Sequence, residues 1–351
     1  MTRAERVMTA LEGGRPDRVP VCPILGGATR QILGVTYRAW STNAELCALA
    51  LAKTVRRYRL DAAMFVIDLS VECAAWGQRL IYPREGTAHP DVHARALREP
   101  EDYARIRPAS WLRAERMDMA VEVCRRLRLH LGPDIPIFPM VSSPLGVLTM
   151  LRGQTDLLTE VYDQLPAIIR AMEPITCTLE QYIRRLLDVG SDGILLDTLY
   201  ASRSLISKEL WSAVERPALA ELAQSVRRQG RSLVLHNCGR DSYLKEQLAS
   251  MHPQGISLQY PPEDCSNLVE CRLRYRTVAL MGCVDPVLAL LAQPEEWEDV
   301  CRTQVRLLGR RGGYLLSTGC EYPPNAPLNL LRRMRRAADY EEERSVGRCG
   351  T

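Results

Sequence analysis

His236 and Cys238 stand two residues apart at the end of the segment Ser232-Leu-Val-Leu-His-Asn-Cys-Gly239, and Cys320 follows a second apolar run, Gly313-Tyr-Leu-Leu316. Side chains two apart on a strand project to the same side of a sheet. If the two runs are neighbouring strands, an imidazole and two sulfurs meet at one sheet edge. Two thiolates and one neutral imidazole cancel the charge of a zinc ion and leave its fourth position free, the pattern of a catalytic site. A fourth Cys or His nearby would close the cage and make the site structural. Cys283, at another strand end, is the one candidate for that role. No Cys-x-x-Cys pair occurs, which excludes a zinc ribbon and a thioredoxin-type motif.

Short apolar runs alternate with long amphipathic ones along the chain. The expected strands are 19–25, 62–67, 135–141, 193–196, 232–235, 255–258, 278–281 and 313–316. Helical periodicity fills the intervals, including 43–58, 156–188, 208–229, 241–250 and 294–308, with Ser207 and Asp241 placed as caps. Eight strands each followed by helix predict a (β/α)8 TIM barrel, an α/β fold, with an N-terminal extension. An insertion after the second strand, about residues 70–133, holds a hairpin arm near Gln78–Pro83 and a helix over 111–131. No repeat or linker divides the chain, so a single domain over 1–351 is expected. A doubly wound sheet is the alternative and requires the strand order to reverse.

Barrels of this type carry their active sites at the carboxyl ends of the strands. Those ends hold Asp68, Ser142 and Ser143, Asp197, His236 with Cys238, Gln259, Asp285, and Cys320 with Glu321. Any one carboxylate in such a place also serves as a helix cap. The set as a whole points to a polar mouth.

The 351 residues, 46% hydrophobic, support a large core, and a net charge of +4 with arginines spread over helical stretches argues against a nucleic-acid partner. No apolar run has membrane-spanning length and Met1-Thr-Arg-Ala-Glu-Arg6 is no signal peptide, so a cytoplasmic protein without a membrane partner is expected. The twelve cysteines are then reduced, with Cys47, Cys73, Cys124, Cys177 and Cys301 read as small buried hydrophobes. His89 and His93 belong to the insertion, and His130 and His252 to helix ends, where a histidine favours the helix dipole without catalytic work.

Three stretches, Leu235-His-Asn-Cys-Gly-Arg240, Val278-Ala-Leu-Met-Gly-Cys-Val-Asp-Pro286 and Leu316-Ser-Thr-Gly-Cys-Glu-Tyr-Pro-Pro-Asn-Ala-Pro327 with Asn329, resemble the methylcobamide:coenzyme M methyltransferases of the uroporphyrinogen decarboxylase superfamily. Arg15-Pro-Asp-Arg-Val-Pro20, Asp68-Leu-Ser-Val-Glu72 and Trp76-Gly77 are similar too. The resemblance implies His236, Cys238 and Cys320 as ligands of a catalytic zinc, and a methyl group moved between a corrinoid and a small thiol such as coenzyme M or homocysteine. A free thiol is only about 1% ionised at neutral pH, so coordination supplies roughly a hundredfold in thiolate. No Asp-x-His-x-x-Gly corrinoid motif is present, since Asp91-Val-His93 lacks the glycine, so the corrinoid (cobalamin) must ride on a separate protein that docks over the mouth.

Around that centre, Glu321 would fill the fourth zinc position at rest, or cap the next helix. Asp197 and Asp285 would orient His236 or the substrate, and Asp68 and Gln259 would face the cofactor. Cys283 stands where the family usually has Asn. Leu25-Gly-Gly-Ala-Thr-Arg30 lacks the paired arginines that clamp porphyrin carboxylates, so porphyrin decarboxylation is not expected, although Asp68 matches the decarboxylases' central Asp. The same fold also serves demethylation of a methoxylated aromatic or a methylamine-type donor onto the corrinoid, or transfer to tetrahydrofolate. The intact triad favours the thiol.

Overall fold

All eight expected runs form strands in the computed structural model, which describes residues 1–84 and 86–346; the last five residues of the expected single domain lie outside the described residues. The strands are β1 (Ile24–Leu25), β2 (Ala63–Phe65), β3 (Leu80–Ile81), β4 (His89–Pro90), β5 (Ile137–Val141), β6 (Gly193–Asp197), β7 (Ser232–Asn237), β8 (Gly255–Leu258), β9 (Ala279–Val284) and β10 (Tyr314–Thr318). β3 and β4 pair antiparallel as the small arm of the insertion. The other eight run parallel in the order β1-β2-β5-β6-β7-β8-β9-β10.

The seam between first and last strands is bridged at Val21–Leu316 and Ile24–Glu321, where Cys22 N donates to Leu316 O at 2.8 Å and Tyr322 N to Ile24 O at 2.8 Å. Sequential order plus closure makes a (β/α)8 barrel and removes the doubly wound alternative. β1 is much shorter than the run 19–25 because Pro20 and Pro23 have no N–H to give a ladder.

Alternation divides the core in two. Ile24, Met64, Phe138, Leu195, Val234, Met281 and Leu315 fill the barrel interior, while Leu25, Phe65, Ile137, Leu196, Leu235 and Leu316 pack outward under the helices. The N-terminal extension is the helix Arg3–Leu11, started by a Thr2/Glu5 capping box. Its face of Val7, Ala10 and Leu11 joins the interior and plugs the amino-terminal end. There the buried Asp61 accepts from Arg6 (2.9 Å), Arg18 (2.7 and 2.8 Å) and Val21 N (2.8 Å).

Some local expectations change. The stretch 156–188 is two helices, Gln154–Asp163 and Leu165–Asp188, with Pro166 in the first turn of the second, where its missing N–H costs nothing. The stretch 208–229 likewise divides at Pro217. Asp241 adopts a positive φ of 54° and caps nothing; the next helix starts at Leu244. Ser207 does cap, accepting from Leu210 N at 3.2 Å. Cys47, Cys73, Cys124 and Cys301 are buried, whereas Cys177 is exposed. No described helix is long and apolar enough to cross a membrane.

Candidate metal centre

β7 runs two residues further than its apolar core suggests, so His236 is part of the strand and points inward on the same face as Val234. It lies in register with Asp197 on β6 and Ser257 on β8. Cys238 follows β7 and Cys320 follows β10. These strands are not neighbours, as the sequence argument supposed: β8 and β9 stand between them. Barrel closure unites the three side chains across the mouth instead. The His236, Cys238 and Cys320 ligand atoms all lie within 4.8 Å of one another, the one such His/Cys/Asp/Glu group of three or more among the described residues.

Second partners fix the cluster. His236 Nδ1 lies 3.0 Å from Ser257 Oγ, which leaves Nε2 for the sulfurs. Burial opposes charge on this imidazole, but the Cys320 sulfur and the Asp197 carboxylate outweigh it and raise its pKa. Cys320 is held well below the ordinary thiol range, chiefly because Cys238 donates its S–H to it, with His236 and the Glu321 backbone N–H assisting against burial. Cys238 is correspondingly pushed up by its bond to Cys320 and by burial. The trio therefore carries protons that a divalent cation would displace. Two half-buried sulfurs and one buried imidazole nitrogen, with no fourth such side chain in the group among the described residues, are a donor set that fits zinc with one position open.

Cys283 is not that fourth ligand. Gly282 and Cys283 take φ of 101° and 78°, which breaks the alternation of β9 and places Cys283 in the outer core layer instead of the interior. The closed four-ligand cage is thereby excluded for this arrangement.

The remaining predicted residues divide. Asp197 faces the cluster: burial lifts its pKa to about 6, the Cys320 charge adds, His236 opposes, and its Oδ1 accepts from Leu199 N at 3.2 Å. Glu321 sits beside the cluster and outside it, its Oε1 accepting from Gly27 N at 3.2 Å; burial and the Cys320 charge push it up to about 8. Asp285 and Gln259 are brought to each other, Gln259 Nε2 donating to Asp285 Oδ1 at 3.2 Å, and Asp285 also accepts from Val287 N at 3.0 Å ahead of the short helix Leu288–Leu291. Ser142 donates to Glu72 through N (3.0 Å) and Oγ (3.1 Å), and Ser143 caps the helix Pro144–Arg152.

Asp68 is already spoken for. The Arg116 guanidinium forks onto both its oxygens at 2.8 and 2.7 Å, Tyr37 OH donates at 3.1 Å, and Ser70 donates from N (3.0 Å) and Oγ (2.6 Å). Arg116 comes from the insertion helix Glu115–Leu131, so this bond latches the insertion to the mouth. Sequence reasoning did not find Arg116, one arginine among many on an amphipathic helix. Ser257 was findable, because alternation from Gly255 through Gln259 puts it on the inner face.

A closed parallel barrel with a His–Cys–Cys cluster at its mouth defines the class. The sequence matches the family uroporphyrinogen decarboxylase (URO-D) over residues 2–340, and the chain belongs to that family. It is 24% identical over 346 residues to the methylcobamide:CoM methyltransferase MtaA of Methanosarcina barkeri, covering 96% of this chain and 98% of that protein. It is also 24% identical to a uroporphyrinogen decarboxylase of Acidiphilium cryptum, over 88% of this chain and 86% of that one. Among solved structures, a methyltransferase from Methanosarcina mazei superposes with a TM-score of 0.83 at 21% identity, over 97% of this chain and 99% of the other. The resemblance expected from the sequence is thus found, and the fold is shared over nearly the whole chain.

Proposed function

We propose that the protein is a corrinoid-dependent methyltransferase that binds zinc at His236, Cys238 and Cys320 and passes a methyl group from a methylated corrinoid, carried by a separate protein, to a small thiol. The observation that carries this reading is the convergence of one imidazole and two sulfurs within 4.8 Å at the barrel mouth. Bound there, zinc would hold an incoming thiol as its thiolate near neutral pH.

The chain's own groups prepare that event. Ser257 fixes the orientation of the His236 ring and directs Nε2 to the sulfurs. Cys238 and Cys320 would hold the cation as thiolates and balance its charge. Asp197, buried beside His236, balances charge on the imidazole. Glu321 accepts from the Gly27 N–H just past β1 and lies outside the ligand group. Asp68, saturated by Arg116, Tyr37 and Ser70, serves the shape of the mouth and not a pyrrole ligand. We place this single-domain enzyme in the cytoplasm, where its free cysteines stay reduced.

Loss of the methyl-cobalt absorption of methylcobalamin tests the reading. Demethylation is expected with 2-mercaptoethanesulfonate or homocysteine and not with tetrahydrofolate, and Cys320→Ala abolishes it. Activity confined to tetrahydrofolate, or none with any acceptor, contradicts the thiol assignment.

A further inference from the structure

Arg240 follows Cys238 by two residues, and its guanidinium carbon lies 4.1 Å from the centre of the Tyr260 ring. Stacking uses the face of the guanidinium and leaves its in-plane N–H donors free to fork onto an anion. Arg240 is exposed, and among the described residues no carboxylate pairs with it. Two other arginines at this end are occupied: Arg116 by Asp68, and Arg30 by the carbonyls of Gly27 and Pro324 and the side chain of Asn325.

The platform under Arg240 is built. Gln259 Nε2 lies 3.5 Å from Tyr260 OH and 3.2 Å from Asp285 Oδ1, so a chain of contacts runs along the rim from Asp285 through Gln259 and Tyr260 to Arg240. Gln259 in turn packs against Gly319, the residue before Cys320; a Cβ there would sit 2.7 Å from the Gln259 Cα. The stacked pair is therefore joined through Gln259 to the residue before Cys320, and along the chain from Arg240 to Cys238. Arg240 is thus a cation without a carboxylate partner, held on a fixed platform two residues from Cys238.

We propose that Arg240, steadied by Tyr260, Gln259 and Asp285, is a specificity-determining residue that binds an anionic group at the far end of the acceptor thiol. This rests on the methyltransferase reading and deepens it by assigning the residue that reads the acceptor's charge. An anion could reach the same guanidinium from the acceptor or from the phosphodiester of the corrinoid, and the experiment separates the two.

Steady-state kinetics of wild type and Arg240→Gln would be measured with methylcobalamin and either 2-mercaptoethanesulfonate or the neutral 2-mercaptoethanol. A lost charge-assisted bond at a partly exposed position predicts a KM for the sulfonate thiol raised about tenfold, with kcat and the neutral thiol's KM moving less than about twofold. Tyr260→Leu shifts the same KM in the same direction by less. An unchanged sulfonate KM, an equal rise for both thiols, or a rise confined to the KM for methylcobalamin overturns the proposal, the last by placing the guanidinium on the corrinoid. Calorimetric titration with ethanesulfonate, which has no thiol, gives a readout independent of methyl transfer. Binding weakened about tenfold in Arg240→Gln supports the anion site even if no thiol is methylated, in which case the methyltransferase reading falls alone; equal binding, or none to wild type, removes the site.

Discussion

The two ends of the barrel handle buried charge in opposite ways. At the amino-terminal end the carboxylates are met by guanidinium groups. Asp61 is ringed by Arg6, Arg18 and the Val21 N–H, and Asp17, gripped by two Arg6 nitrogens at 2.6 Å, is lowered to about 2 by that hydrogen bonding. At the carboxyl-terminal end Asp68 has the Arg116 guanidinium, but four other carboxyls are buried without a cationic partner among the described residues. Burial lifts Asp197 to about 6, Glu72 and Glu215 to about 7, and Glu321 to about 8. The closed end is arranged for stability and the mouth for a positively charged guest, in keeping with where catalysis sits in such barrels.

Substitutions should separate these ends. The largest effect is expected at the bottom. Asp61→Ala leaves two guanidinium groups facing a buried gap, and urea unfolding should show a loss of about 3–5 kcal/mol, with zinc content of the folded fraction retained. A loss below about 1 kcal/mol would break the contrast. Cys320→Ala, at the mouth, should weaken zinc at least about a hundredfold by competitive chelation, because it removes a ligand. In the presence of chelator the same variant should unfold within about 1 kcal/mol of wild type, since it removes one half-buried sulfur at the mouth and opens no cavity in the apolar core. A large destabilisation without metal would mean that the cluster is structural.

Glu72→Gln should have the smallest effect and sharpen the comparison through pH. The native carboxyl binds its proton up to about 7, against 4.5 for an unperturbed glutamate, so the native state holds the extra proton between those values. Wild-type stability from this group is therefore present at low pH and lost as pH rises through about 7. The variant should be flatter with pH and, above neutrality, more stable by on the order of 1 kcal/mol, as read by thermal unfolding across the range. An identical pH profile in both proteins contradicts the burial argument.

Much of this organisation was legible in the sequence, for identifiable reasons. Strands buried on both faces read as continuous apolar runs, so all eight could be located before their pairing was known. The spacing of His236 and Cys238 reports a shared face directly, and Cys320 follows from its place after the last run. What was not legible depends on closure and on loop paths. Cys320 reaches the others across the mouth, not along a sheet edge. Cys283 leaves the interior because two successive residues take positive φ, a turn that no composition rule reveals. Arg116 and the Arg240–Tyr260 stack become distinct only when the insertion and the rim loops are in place.

X-ray absorption at the zinc edge tests the central claim most directly. The resting protein should hold one zinc with two sulfurs at about 2.3 Å and a nitrogen near 2.0–2.1 Å, and saturating 2-mercaptoethanesulfonate should add a third sulfur. Protein without zinc, or a resting site already coordinated by four protein ligands and unchanged by the thiol, would contradict it.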